Sequence, residues 1–357
     1  MNYPRFGRWA LLAVVMLAPW VARAAEISPR DANVRYVGRF DLADEAGPRC
    51  TWPASTVAFT VSGGSVGVRL KDNGKNFWQV VINGESTGVL ALQPGEQVYP
   101  VAKDLPPGRH TIELVKRTES FVGVTQVLGV VIDDGAKLWP TPERVRRIEV
   151  IGDSISCGYG NEAASKEEKF SAATENAWLA YGAVGARAVE ADYVCIAWSG
   201  KKLWPDNSIV DLYGRTLATS DKSVWDFARW TPDVVVVNLG TNDFNSKGNP
   251  DEAGWVAAYV EFIAQIRGRY PKAAVYCAVG TMMSDWPESR KPRTVILGYL
   301  EKVIAQANAA GGAPVRLIDF GVQKKENGIG ADWHPGAKTH ELMGAQLAET
   351  LKRDLGW

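Results

Sequence analysis

The sequence predicts two folds in one chain. An all-β antiparallel sandwich of jelly-roll type comes first, and a three-layer α/β/α domain on a parallel sheet follows. Three observations predict this. From Val34 to about Lys137, short alternating runs recur with no helical stretch between them. From Arg147 onward, apolar strand-like runs alternate with residues at helical spacing. Pro140-Thr141-Pro142 separates the two patterns. A chain of 357 residues, 46% hydrophobic and 22% charged, is long enough and apolar enough for two cores.

In the β half, residues 26–140, the alternating runs are Thr56–Val61, Val66–Leu70, Trp78–Ile82, His110–Val115 and Val127–Ile132. Asn83-Gly84 and Pro106-Pro107-Gly108 supply turn chemistry between them. In the second half, residues 146–357, Arg147–Ile151 opens as a strand. A helical stretch spans Trp178–Glu190, and a strand follows at Tyr193–Ala197. Val234–Leu239 is continuously apolar, as a strand covered on both faces must be. Trp255, Tyr259, Phe262, Ile263 and Ile266 recur at helical spacing until Pro271. Ala274–Val279 and Val315–Phe320 read as further strands. Ile296, Leu300, Val303 and Ile304 mark one more helix, and Met343, Leu347 and Leu351 the last. Strands alternating with helices give a parallel sheet with crossovers.

Residues 1–24 read as a secretory signal peptide. Arg5 and Arg8 precede the apolar run Ala10–Val21, and Ala22-Arg23-Ala24 has the small-x-small pattern of a cleavage site. The run is short of the roughly 20 residues a membrane span needs, and Pro19 interrupts it. The expected location is secreted or periplasmic, with no membrane association after cleavage. The whole chain balances 40 Lys+Arg against 40 Asp+Glu. Removing Arg5, Arg8 and Arg23 leaves a slightly acidic chain, which argues against a nucleic-acid partner. Cys50, Cys157, Cys195 and Cys277 form no metal-binding spacing. An exported chain with four cysteines allows disulfides, while the apolar runs around Cys195 and Cys277 favour free buried thiols.

Ligands of such sheets bind beyond the C-terminal ends of the strands. Four segments directly follow strands or precede the last helix: Gly152-Asp153-Ser154-Ile155-Ser156, Trp198-Ser199-Gly200, Gly240-Thr241-Asn242-Asp243 and Asp332-Trp333-His334-Pro335. Their residue types suit hydrolysis. A serine hydroxyl needs a base to become a nucleophile, and an imidazole serves as base and then acid. Ser154 is the candidate nucleophile and His334 the base. Asp332 is a candidate to orient the ring, with a backbone carbonyl as the alternative. The backbone N–H groups of Ser154 and Gly200 and the amide of Asn242 are candidate oxyanion donors. Of the other histidines, His110 falls in the β half and His340 on the final helix.

Ser154, Gly200, Asn242 and His334 match, in order, the four residues that name the SGNH, or GDSL-type, hydrolases, which the second half resembles. The β-sandwich ahead of it and the Asp-Trp-His-Pro run resemble carbohydrate esterase family 2. That resemblance implies an acetyl esterase acting on plant cell-wall polysaccharides such as xylan and glucomannan, or their oligosaccharides. It implies an acyl-enzyme on serine, with no cofactor and no metal. Many SGNH enzymes place the acid three residues before the histidine. Here that position is Ala331, and Asp332 sits two before.

Of the 14 tryptophans, Trp204, Trp225, Trp230, Trp286 and Trp333 fall in or near predicted loops of the second half. Aromatic faces suit the apolar C–H surfaces of sugars. Trp333, beside His334, and Tyr213 are the candidate substrate-binding residues. Two other functions stay open from the residues alone. One is another SGNH esterase: a lipase, a thioesterase or a peptidoglycan O-acetylesterase. The other is a sugar-binding protein without catalysis.

Overall fold

The computed structural model describes residues 24–244 and 247–357. The signal-peptide reading lies outside the described residues except for Ala24.

The β half holds β1 (Ala24–Ile27), β2 (Arg35–Val37), β3 (Arg49–Cys50), β4 (Thr56–Val61), β5 (Gly64–Asn73), β6 (Phe77–Ile82), β7 (Glu85–Ala91), β8 (Pro94–Leu105), β9 (His110–Lys116), β10 (Thr125–Asp133) and β11 (Leu138–Trp139). One antiparallel sheet has the order β1-β10-β5-β8, with β3 beside β10. The other runs β11-β4-β9-β6-β7, with β2 beside β4. Alternating residues of both inner faces, among them Val57, Phe59, Val68, Leu70, Trp78 and Leu114, form one core.

The second half holds β12 (Arg146–Gly152), α1 (Ser154–Cys157), α2 (Tyr181–Ala188), β13 (Ala191–Ala197), α3 (Val210–Tyr213), β14 (Val234–Asn238), α4 (Glu252–Arg269), β15 (Ala274–Val279), α5 (Pro292–Ala309), β16 (Val315–Asp319) and α6 (Ala337–Leu355). Its five strands are parallel in the order β13-β12-β14-β15-β16. β13 and β14 are fully buried, as their apolar runs require. α4 and α5 cover one face and α2 and α6 the other, so each face has its own core. From β12 the chain goes to β13 on one side and then crosses back to β14 on the other. The C-terminal end of β12 is therefore the switch point where such sheets open a crevice.

The two halves share buried contacts. Val37 and Trp52 of the sandwich enter the core of the α/β half. Arg39, fully buried, reaches Glu149 on β12. All four cysteines are buried free thiols. Among the described residues no helix is long and apolar enough to cross a membrane.

Candidate active site

The site begins where β12 ends. Asp153 caps the short helix α1, its carboxylate accepting the Ile155 N–H at 3.0 Å. Ser154 is the first residue of that helix, so its own N–H has no carbonyl one turn back. Gly152 is needed for space. A Cβ there would meet the Ser156 hydroxyl at 2.1 Å.

The loop before α6 carries His334 back to this turn. Its docking depends on close backbone approach. Ala331 N–H donates to Gly160 O at 3.0 Å, and a Cβ on Gly330 would strike that same oxygen at 2.4 Å. His334 Nε2 lies 2.8 Å from Ser154 Oγ. Its Nδ1 lies 3.1 Å from the Ala331 carbonyl, which can only accept. Nδ1 therefore carries the hydrogen, and Nε2 is left to take the serine proton. Tyr159 stacks on the imidazole at 4.1 Å between ring centres. Burial holds the His334 pKa below the usual 6.5, and the carbonyls of Ala331 and Asp332 oppose this.

Asp332 does not orient the ring. Its backbone is left-handed at φ 49°, as is that of Trp333 at 67°. The carboxylate turns away and accepts from Tyr159 OH at 2.9 Å and Lys169 Nζ at 2.7 Å. Those two bonds hold its pKa low. The geometry is a Ser–His dyad with a backbone carbonyl in the third place. Asp332 acts on the Tyr159 side, one step removed.

The candidate oxyanion donors come together on the same edge. Asn242 Nδ2 donates to Lys201 O at 3.0 Å and faces Asp153 Oδ2 at 3.3 Å, tying the segments after β12, β13 and β14 together. Gly200 has φ 78°, with open space where a Cβ would stand. Two acids of these motifs, given no role by sequence, turn out to be supports. Asp153 is fully buried, which pushes its pKa up to about 7. Asp243 accepts from the N–H groups of Leu203 and Trp204 and from Trp255 Nε1, holding the segment after Gly200.

Trp333 is half-exposed beside His334, with Lys166 Nζ 3.7 Å above its ring. Tyr213 is not a substrate contact. Its side chain is buried, its hydroxyl donates to Glu149 Oε1 at 2.7 Å, and its ring packs on Phe227 and Phe262. The sandwich supplies what sequence reasoning missed. Phe121 is half-exposed and lies 5.2 Å from the Phe170 ring and 6.4 Å from that of Trp198. Phe170 in turn contacts Tyr159. Glu119 accepts both the N–H and the hydroxyl of Ser199.

Among the described residues, one buried group has metal-ligand spacing: Glu119, Cys157 and Glu175, with candidate atoms within 4.8 Å of one another. Burial raises the pKa of all three. Both Glu119 oxygens already accept from Ser199, so they are engaged in holding that turn.

The carbohydrate esterase 2 N-terminal family model matches residues 36–142, and the GDSL-like lipase/acylhydrolase family model matches residues 150–342. The chain is 37% identical over 331 residues to the cellulase/esterase CelE of Acetivibrio thermocellus, covering 91% of this chain and 40% of that protein. The chain thus spans well under half the length of CelE. It is 32% identical over 326 residues to an acetylxylan esterase/glucomannan deacetylase of Cellvibrio japonicus, covering 86% of each. A solved family two carbohydrate esterase from Clostridium thermocellum, in complex with cellohexaose, superimposes with a TM-score of 0.85. That match is 36% identical and covers 91% of this chain and 99% of the other. The sandwich, the hydrolase domain and their order together place this chain in carbohydrate esterase family 2.

Proposed function

We propose that the protein removes O-acetyl groups from plant cell-wall polysaccharides, xylan or glucomannan, or from their oligosaccharides. The observation that carries the chemistry is the 2.8 Å contact of Ser154 Oγ with an imidazole whose other nitrogen is fixed by a carbonyl. The Ser154 hydroxyl attacks the acetyl carbonyl, and His334 takes its proton. The oxyanion is held by the Ser154 and Gly200 N–H groups and by the Asn242 N–H that faces Asp153 Oδ2 at 3.3 Å, the longer of its two contacts, which it exchanges for the oxyanion. His334 then gives the proton to the departing sugar hydroxyl, leaving acetyl-serine. Water attacks this ester with His334 as base, and acetate leaves with Ser154 restored.

The substrate reading is supported by the acetylxylan esterase/glucomannan deacetylase relative and by the cellohexaose in the Clostridium relative. The catalytic edge here carries the exposed aromatic rings of Phe121 and Trp333, a surface suited to a sugar chain. The signal-peptide pattern supports export to the periplasm or beyond, where such polymers are met. The test is acetate release from acetylated xylan and glucomannan by wild type and Ser154→Ala. Release by wild type and none by the variant is expected. Full release by the variant overturns the assignment. Turnover of long acyl esters in preference to acetyl esters overturns the substrate class.

A further inference from the structure

We propose that Glu119, carried by the sandwich, is a positioning residue for the oxyanion turn of the hydrolase domain. The inference rests on the esterase reading above, with Gly200 as an oxyanion donor.

Glu119 lies three residues beyond β9, in a segment that leaves the sandwich and is buried against the second half. Its two carboxylate oxygens are spent on one residue. Oε2 accepts the Ser199 N–H at 2.6 Å, and Oε1 accepts the Ser199 hydroxyl. Ser199 directly precedes Gly200. The same turn is closed by Lys201 N–H donating to Trp198 O at 3.2 Å, and Asn242 holds Lys201 O from the other side. Gly200 has no side chain to fix its peptide, and glycine has the widest backbone freedom of any residue. An oxyanion donor works by being aimed before the charge develops. Bonds to the residues on either side of Gly200 supply that aim, one from Asn242 and one pair from Glu119.

Glu119 is itself held in place. Its N–H donates to Glu175 Oε2 at 2.9 Å, and Lys116 Nζ donates to its backbone carbonyl at 3.2 Å. Arg117 donates to the carbonyls of Ala173 and Glu175 and pairs with Glu162, anchoring the segment in the hydrolase domain. A buried carboxyl with no guanidinium or ammonium against its oxygens is costly. Burial pushes the Glu119 pKa up, and the Ser199 bonds oppose that shift. The Ser199 N–H and hydroxyl, both on the oxyanion turn, donate to those oxygens, and the Glu175 carboxyl lies against them as a further hydrogen-bond partner.

The test is steady-state kinetics on 4-nitrophenyl acetate in the full chain, with thermal unfolding measured alongside. Glu119→Ala is expected to lower kcat and kcat/KM equally, by about tenfold to a hundredfold, with KM unchanged, because an interaction made in the transition state has been loosened. Glu119→Gln keeps one acceptor for the Ser199 N–H and is expected to restore most of the rate. Ser199→Ala removes only the hydroxyl arm, and a threefold to tenfold loss in kcat is expected. A folded Glu119→Ala with wild-type kcat, or one altered in KM alone, overturns the proposal. Where Glu119→Ala does not fold, Ser199→Ala decides, and wild-type kcat in that variant overturns it. The wild-type rate separates the two readings. An inactive wild type sinks the esterase assignment and this inference with it. An active wild type matched by every variant sinks this inference alone.

Discussion

The Nδ1 hydrogen of His334 goes to the backbone carbonyl of Ala331, 3.1 Å away, while the carboxylate of Asp332 faces Tyr159 and Lys169. A carbonyl fixes the tautomer as a carboxylate would, and among the described residues no acidic side chain bonds to the ring. Asp332→Asn is therefore expected to cost under about tenfold in kcat/KM, roughly 1.4 kcal/mol of barrier. His334→Ala is expected to cost on the order of 10³-fold or more, as loss of the base does in serine hydrolases. Both are read on 4-nitrophenyl acetate. An Asp332→Asn enzyme as damaged as the His334→Ala enzyme would restore the acid to the triad.

The pH profile follows from which form of His334 works. The neutral imidazole accepts the serine proton, so activity falls as pH drops through its pKa. Burial lowers that pKa from the usual 6.5, so the histidine limb of kcat/KM has its midpoint below 6.5. Asp153 complicates the wild-type curve, because burial lifts its carboxyl to about 7. Asp153→Asn carries no titrating group there, and its acid limb should be that of His334 alone. A midpoint above 6.5 in that variant contradicts the burial of the imidazole. A wild-type limb that moves down on the substitution assigns the upper part to Asp153.

Much of this site was legible because three of its four parts follow a strand that declares itself, and the fourth, with His334, comes just before the last helix. β14 is apolar at four of its five positions, buried on both faces, and Asn242 comes four residues later. β7 was not legible. Its burial pattern leaves all but Leu90 exposed, so its sequence shows no alternation to read. Tyr213 misled because a tyrosine looks the same in a cleft or in a core. Only the Glu149 carboxylate, 64 residues away, explains its hydroxyl. Asp332 was misplaced because two successive left-handed residues turn its side chain outward, and neither Asp332 nor Trp333 is a glycine that would signal this. Glu119 and Phe121 reach the site across a domain junction, which no local pattern encodes.

Arg39 and Glu149 join the two halves by a fully buried ion pair at 3.3 Å. The guanidinium also donates to the carbonyls of Tyr213 and Arg215 and lies 5.0 Å from the Tyr213 ring centre. Arg39→Met leaves Glu149 buried with, among the described residues, the Tyr213 hydroxyl as its one remaining hydrogen-bond partner. The expected destabilisation is about 3–5 kcal/mol, because an unpaired buried charge is worse than none. The double variant Arg39→Met/Glu149→Gln should recover part of it, since the stranded charge is gone. Urea unfolding at pH 7 of wild type, Arg39→Met, Glu149→Gln and the double variant measures the cycle. Equal midpoints for wild type and Arg39→Met would show that the pair holds nothing.

Phe121 is the sandwich's exposed contribution to the catalytic edge. Its ring contacts Phe170 and Trp198, and Phe170 leads through Tyr159 to the His334 imidazole. A sugar lying along this row would cover the apolar faces that water now meets, while the acetyl group of a small ester reaches no further than Ser154. Loss of one aromatic contact is worth about 0.5–1.5 kcal/mol, or roughly twofold to twelvefold in binding. Phe121→Ala should therefore raise KM for acetylated oligosaccharides by that factor, with kcat held. On 4-nitrophenyl acetate the same variant should stay within about twofold of wild type. Equal losses on both substrates would mean that Phe121 supports the fold of the site and does not meet the sugar. No loss on either would remove the sandwich from substrate binding.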